Sequence, residues 1–537
     1  MGNKIMLTRR TLLATSAAGL AAPAVIGSAE AATPKNALVM AKAIDDIVGG
    51  FDPAQSYEFS NNEGCGNIYR KLVAPDPADS SKLLGDVAEK WEVSKDGLTF
   101  TFQLRRGLVF DSGKPLTAED VVFSLQRVVK LNLTPGFVLT QFGWNADNVE
   151  KMIHTTGESS LEIVLPTVQA SSFVLYCLSA TCGSVVEKAV VLAHQTKNDL
   201  GNEWLRSHSA GSGPYKLVDW QASDHVILET NPHAAVKPHL PRVVIRHVAD
   251  SSAQLLMVQK GDVDMARDLN SDQLKSVARN PDLVLAKKPQ LTSMYMGMNT
   301  GVAQFQKVQV RQALKYAIDY EAIATNIAPN LWTVWQAFLP QGVPGAVGDN
   351  PFKKDVAKAK ALLAEAGYPN GFEVTLDHFA KSPYSEIAQA IQADLASVGV
   401  KAQLMAGEQK QVISKMRARQ HQLALMTWFP DYLDANSNAQ AFCANPDDSD
   451  ASKLKILAWR CHFFDKELTD AVDAAAKELD NTKRTAMYAK MQRDFMTRAP
   501  FAMLLQSAEV DVLRKGVSGL EIGVLPDYTH YARIAKA

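Results

Sequence analysis

Helix and strand signals alternate through the second half of this chain, and few folds accommodate that order. Asp355 is placed to cap a helix over 356–366, and Gly367 with Pro369 stops it. A strand follows at 372–376, a helix at 384–398, then strands at 400–405 and 422–427. Strands separated by helices predict a largely parallel sheet. An amphipathic helix over 309–323 precedes this block. A helix over 480–498 and strand-like stretches at 502–505 and 509–513 follow it.

The first half reads differently. Leu98, Phe100, Phe102 and Leu104 alternate with polar residues, which marks a half-buried strand. Lys95-Asp96-Gly97 supplies the turn of a hairpin over 88–105. Thr117 is placed to cap a helix whose apolar face is Val121, Val122, Leu125, Val128 and Val129. Further strands are predicted at 160–165, 215–220, 225–230, 242–248 and 262–266, with a helix over 252–260. A chain that starts mixed, turns α/β and ends in a strand predicts two lobes joined by crossover strands, with a hinged cleft between them.

Composition narrows the function. The 537 residues hold 56 Lys+Arg against 57 Asp+Glu, so no broad basic surface exists for nucleic acid or anionic lipid. No run of 18 apolar residues follows the N-terminus, so the chain is not expected to be membrane-embedded. Residues 1–31 read as a cleaved export signal. Lys4, Arg9 and Arg10 form the basic part, Leu12 to Ile26 the apolar part, and Ala29-Glu30-Ala31 the cleavage site. Thr8-Arg9-Arg10-Thr11-Leu12-Leu13 resembles a twin-arginine signal. The expected destination is a bacterial periplasm, where disulfides form. Cys443 and Cys461 flank a polar loop, and a bond between them would contribute about 3 kcal/mol. Cys177 and Cys182 read either as a bridge or as two free thiols, and Cys65 as a core residue.

Several segments resemble the extracytoplasmic solute-binding proteins of ABC importers, in the dipeptide, oligopeptide and nickel family (family 5). They are the stretch from Leu84 to Gly107, Leu116-Thr-Ala-Glu-Asp-Val-Val-Phe-Ser124, and Gly211-Ser-Gly-Pro-Tyr-Lys-Leu217. Tyr295-Met-Gly-Met-Asn-Thr300, Val310 to Ile318, and Trp428-Phe-Pro-Asp-Tyr-Leu-Asp434 complete the series, in the family's order. The resemblance implies an α/β, bilobal periplasmic binding protein fold of type II with an extra lobe, hinged by two crossover segments. After the signal, region I would hold 32–79, 195–295 and 503–537, region II 80–194, and region III 296–502. It also implies a monomer that closes on a small-molecule or peptide solute and docks on an inner-membrane ABC permease.

The resemblance points to particular residues. In peptide-binding members an Asp at the position of Asp431 pairs with the ligand's α-ammonium; the alternative is a turn-capping carboxylate, with Asp434 the weaker candidate. Trp428 would line the pocket or pack at a strand end. Trp335, with Trp332, either stacks on ligand or packs in the core. Tyr57, Glu58 and Asn61 lie in an early polar loop where relatives line the cleft. Relatives that bind dipeptides place an Arg near residues 385–386, and Ser385-Glu386 offers none. Arg267 either substitutes for it or makes a structural ion pair.

Other classes fit less well. The eleven His are scattered, with no zinc-type spacing, so neither a metal nor a cofactor is expected. No Gly-x-Ser-x-Gly elbow, His-Glu-x-x-His or Walker loop is present, so no enzymatic activity is expected. The reading is a periplasmic solute-binding component of an ABC importer for a peptide or amino-acid-derived solute. An opine, sugar derivative or metal chelate is the alternative ligand, and a periplasmic hydrolase the distant alternative function.

Overall fold

The computed structural model describes residues 33–452 and 454–537. The expected export segment lies outside the described residues. Two long strands, Leu283–Met298 and Phe501–Arg514, pair antiparallel from Leu283 opposite Arg514 to Gly297 opposite Phe501. They form the middle of an eleven-stranded sheet. Beyond one flank lie Met265–Ala266, Ala37–Lys42, Arg242–His247, His225–Thr230 and Tyr215–Gln221, in that order. Beyond the other lie Leu423–Trp428, Glu373–Phe379 and Lys401–Gly407. The two strands therefore cross between two lobes, as the order of elements predicts.

Glu373–Phe379 runs parallel to both of its neighbours, as the βαβ pattern implies. The connecting helices Val308–Ala317, Val356–Glu365 and Tyr384–Ser397 bury Val310, Leu314, Leu363, Ile387, Ile391 and Leu395 against that sheet. Strands buried on both faces by such crossovers show no alternation, and Leu423–Leu425 is apolar without interruption.

Residues 88–164 build a separate four-stranded antiparallel sheet, in the order Ala88–Val93, Thr99–Leu104, Ser160–Val164, Ile153–Gly157. Helix Ala118–Leu131 packs on it through the five predicted apolar residues, all buried. The Thr117 N–H donates to Asp120 at 3.0 Å, closing a capping box.

Three expectations need correction. The helix predicted over 309–323 stops at Ala317: Ile318 is extended, and Asp319 starts a new turn by accepting from the Ala322 N–H at 3.0 Å. The stretches 502–505 and 509–513 are one strand. Cys443 and Cys461 are not bonded to each other; all five cysteines are free, buried thiols. The Cys461 Sγ faces His421 Nε2 at 3.7 Å, and burial pushes its thiol up to about 12. The polar loop between them is tied by polar bonds instead. Asn445 donates to the Phe463 carbonyl at 3.1 Å, the Trp459 indole donates to the Ser449 carbonyl at 2.9 Å, and Arg419 pairs with Asp448.

Candidate functional site

Strand Leu423–Trp428 ends at the edge of one lobe, and six residues separate it from helix Ala435–Cys443. The loop between them carries both candidate carboxylates. Asp434 caps the helix, accepting from the Asn436 N–H at 2.8 Å. Ser437 in the first turn accepts from the Asp431 N–H at 3.0 Å, which fixes the backbone of Asp431. From the other lobe, the loop before helix Phe59–Ile68 brings in Tyr57, whose hydroxyl donates to Asp431 Oδ1 at 2.6 Å. Two residues singled out in the sequence, 374 positions apart, thus meet across the cleft.

Apolar groups surround this contact. Phe59 and Phe429 face each other across the lobes at 4.8 Å, and Phe137 lies edge-on to Tyr57 at 6.3 Å. A cavity of about 40 Å³ remains beside Asp431, lined also by Pro135, Val138 and Tyr432. Burial pushes the Asp431 carboxyl up to about 6, while the Tyr57 hydrogen bond pulls the other way. No cationic side chain pairs with Asp431 among the described residues. Burial, helped by the Asp431 charge, also pushes the Tyr57 hydroxyl up, so it remains a donor.

The other candidates divide. Trp428 is half-buried, and its indole donates to Asn438 at 3.2 Å next to the Asp431 loop. Glu58 stands at the N-terminal boundary of helix Phe59–Ile68, makes no capping bond to its backbone, and accepts from the Asn61 side-chain amide at 3.3 Å. Asn61 is fully buried, donating to the Gly50 carbonyl at 3.1 Å. Trp335 packs against the core of the α/β lobe with Trp332, and its indole donates to the Leu339 carbonyl at 2.8 Å. Asp434 is not a free ligand group, because Arg484 grips it with two bonds, of 2.6 and 2.8 Å. Arg267 takes its structural alternative. It is buried between Glu63 at 2.6 Å, Glu509 at 2.8 Å and Asp511.

The sequence reading passed over several groups at this site. Phe59 and Phe429 sit beside residues it named; an apolar Phe59 within the polar run Glu58-Phe59-Ser60-Asn61-Asn62 was the available signal, and the structure leaves it 44% exposed. Arg417 and Arg460 left no local signal. The charge of Arg417 reaches Tyr57, Arg460 in turn feels Tyr57, and neither guanidinium forms an ion pair among the described residues.

Two lobes hinged by a pair of crossover strands, with a carboxylate and a phenol meeting across the cleft, define a bilobal binding protein. The family described as bacterial extracellular solute-binding proteins, family 5, matches residues 82–450, and the chain belongs to that family. The probable D,D-dipeptide-binding periplasmic protein DdpA of Escherichia coli (strain K12) is 26% identical over 501 residues, covering 91% of this chain and 92% of the relative. The glutathione-binding protein GsiB of Pectobacterium atrosepticum is 26% identical over 97% of each chain. Among solved structures, the periplasmic binding protein DppA of Helicobacter pylori, in complex with the peptide STSA, superposes with a TM-score of 0.75. It is 24% identical, covering 93% of this chain and 98% of that one. That likeness establishes the fold.

Proposed function

We propose that this protein is the periplasmic solute-binding component of an ABC importer and that it captures a peptide or amino-acid-derived solute by the solute's ammonium group. The observation that carries this reading is Asp431, a carboxylate buried at the lobe interface with no cation paired to it among the described residues. A buried carboxylate is costly unless a charge or several donors satisfy it, and Tyr57 supplies one donor. A ligand ammonium would complete it with a charge-assisted bond. The family membership and the peptide- and glutathione-binding names of the relatives support the same class.

The cavity beside Asp431 holds about 40 Å³, room for an ammonium head but not for a peptide. Solute must therefore enter with the lobes apart and bridge them as they close. Closure is stabilised by the ligand's greater affinity for the closed arrangement. The Phe59–Phe429 contact would part to admit an apolar side chain. With no Arg near 385–386, a ligand carboxylate would fall to Arg417 or Arg460, whose charges interact with Tyr57 and which form no ion pair among the described residues. Delivery to an inner-membrane permease and residence in the periplasm follow from this role.

The test is thermal-shift screening of ligand-stripped mature protein against glutathione, a D,D-dipeptide, the peptide STSA, agropinic acid and neutral oligosaccharides. A ligand at 100 times its dissociation constant adds about 2.7 kcal/mol of stability. A shift with an ammonium-bearing solute that vanishes in Asp431→Ala is the expected result. A shift with neutral sugars alone would remove Asp431 from the binding role.

A further inference from the structure

A second and larger cavity lies away from the Asp431 carboxylate. It encloses about 690 Å³ between the short arm of strands Val73–Pro75 and Leu83–Gly85, the turn Gly211–Pro214, and the tail Leu520–Arg533. That volume is within the range of small-molecule sites. Its walls are largely apolar, among them Pro75, Leu84, Val236, Leu520, Ile522 and Val524. Leu84 and Val236 are 48% and 60% exposed, so apolar surface continues to the rim.

The charges that face this cavity are mostly spent on one another. Arg70 pairs with Asp86 at 2.5 Å, Lys71 with Asp527 at 2.5 Å, and Arg533 with Glu521 at 3.1 Å. Asp76 accepts from the Ala78 N–H at 2.8 Å in its own turn. Burial holds the His530 imidazole below its usual range, which keeps it neutral. Lys288 is the exception. Projecting from the first crossover strand, it is half-buried, and it has no ion pair or hydrogen bond among the described residues. Burial lowers its proton affinity, while the charge of Glu521, itself paired with Arg533, pulls the other way. Ser212, 4% exposed, lines the same cavity with an Oγ that has no hydrogen-bond partner among the described residues.

We propose that this cavity is a second ligand site, which binds an organic carboxylate with an apolar body, its head on the Lys288 ammonium and its body along the apolar walls. The site does not depend on the role of Asp431. The two cavities share only Asp527 and Tyr528 as a common wall.

Isothermal titration with decanoate tests it, with acetate and decanol as the head-only and body-only controls. Decanoate is expected to bind one to one, and more tightly than either control. Lys288→Met is expected to weaken decanoate about tenfold, while Lys288→Arg retains it. Val236→Trp, at an exposed rim position, narrows the mouth and is expected to weaken it without disturbing the fold. A crystal grown with decanoate is expected to show it against Lys288 and Leu520. No decanoate binding at about 1 mM, equal binding by Lys288→Met, equal binding of decanol, or decanoate located beside Asp431 would each overturn the proposal.

Discussion

Asp431 and Asp434 stand three residues apart on one loop, and both are buried, yet they live in opposite electrostatic settings. Asp434 meets a guanidinium through two parallel bonds and also caps a helix, so its charge is fully answered within one lobe. Asp431 is answered by one phenol from the opposite lobe. The first arrangement holds a fold together. The second leaves a demand for positive charge that closure around a ligand can meet. A buried carboxylate is thus informative about function only once its partners are known.

Removing each carboxylate should separate the two most sharply. Asp434→Ala leaves Arg484 buried without its anion, and loss of one partner from such a pair costs about 3–5 kcal/mol. Asp431→Ala leaves no cation behind, so its unfolding free energy should stay within about 1 kcal/mol of the parent. Urea unfolding of the two variants measures this. Equal destabilisation would mean that Asp431 carries structural charge after all.

Ligand affinity should show the reverse order. Asp431→Asn keeps the shape and an acceptor for Tyr57 but removes the charge. Its affinity for an ammonium-bearing solute should fall about 100-fold, or about 2.7 kcal/mol, by isothermal titration. An affinity unchanged in Asp431→Asn would remove the distinction drawn between the two loop positions.

Much of this architecture was legible because its signals are local. Thr117 and Asp120 announced a helix start, and the periodic valines after them announced its buried face. The βαβ block was legible for the same reason. The long crossover strands were read only in part, because Leu283–Gln290 is exposed at every few residues whereas Leu291–Met298 is almost wholly buried. A strand that passes from one environment to another has no single periodicity. The break after Ala317 was missed because Asp319, a cap in the structure, sits in a sequence that continues the helical pattern. Asp431 and Tyr57 were reached through family resemblance, not through pattern. The partner that disqualifies Asp434 lies 50 residues on, in Arg484, and nothing near Asp434 points to it. The Cys443–Cys461 expectation failed because loop spacing carries no information about where two thiols are buried.

pH extends the contrast between a satisfied and an unsatisfied carboxylate. Glu63, held by Arg267 and Lys42 against the cost of burial, is lowered to about 2. Its stabilisation is complete above its unfolded value of 4.5 and is lost as pH falls toward 2, amounting to about 3 kcal/mol. Asp431 has the opposite sign. Its folded value is raised from 3.8 to about 6, so its ionisation opposes the closed, ligand-free fold in full above about pH 6, and that cost fades as pH falls toward 3.8. A ligand ammonium requires the ionised form. Affinity should therefore be level above pH 7 and decline as pH falls through about 6, by up to tenfold per unit. A flat affinity profile from pH 7.5 to 5 would show that the bound solute does not use the Asp431 charge.

The smallest expected effect tests the contact between the lobes. Tyr57→Phe removes the one side-chain donor to the Asp431 carboxylate among the described residues and preserves the ring that packs edge-on to Phe137. The closed arrangement loses one hydrogen bond, worth about 1 kcal/mol, so solute affinity should fall about fivefold. The pH profile should move as well. The bond favours the ionised carboxylate, so its loss raises the Asp431 pKa further, and the decline in affinity should begin at a higher pH than in the parent. In Asp431→Asn no carboxylate titrates, and adding Tyr57→Phe should not shift the profile. A Tyr57→Phe variant with weaker binding but an unmoved profile would mean that the phenol serves closure alone and leaves the charge on Asp431 untouched.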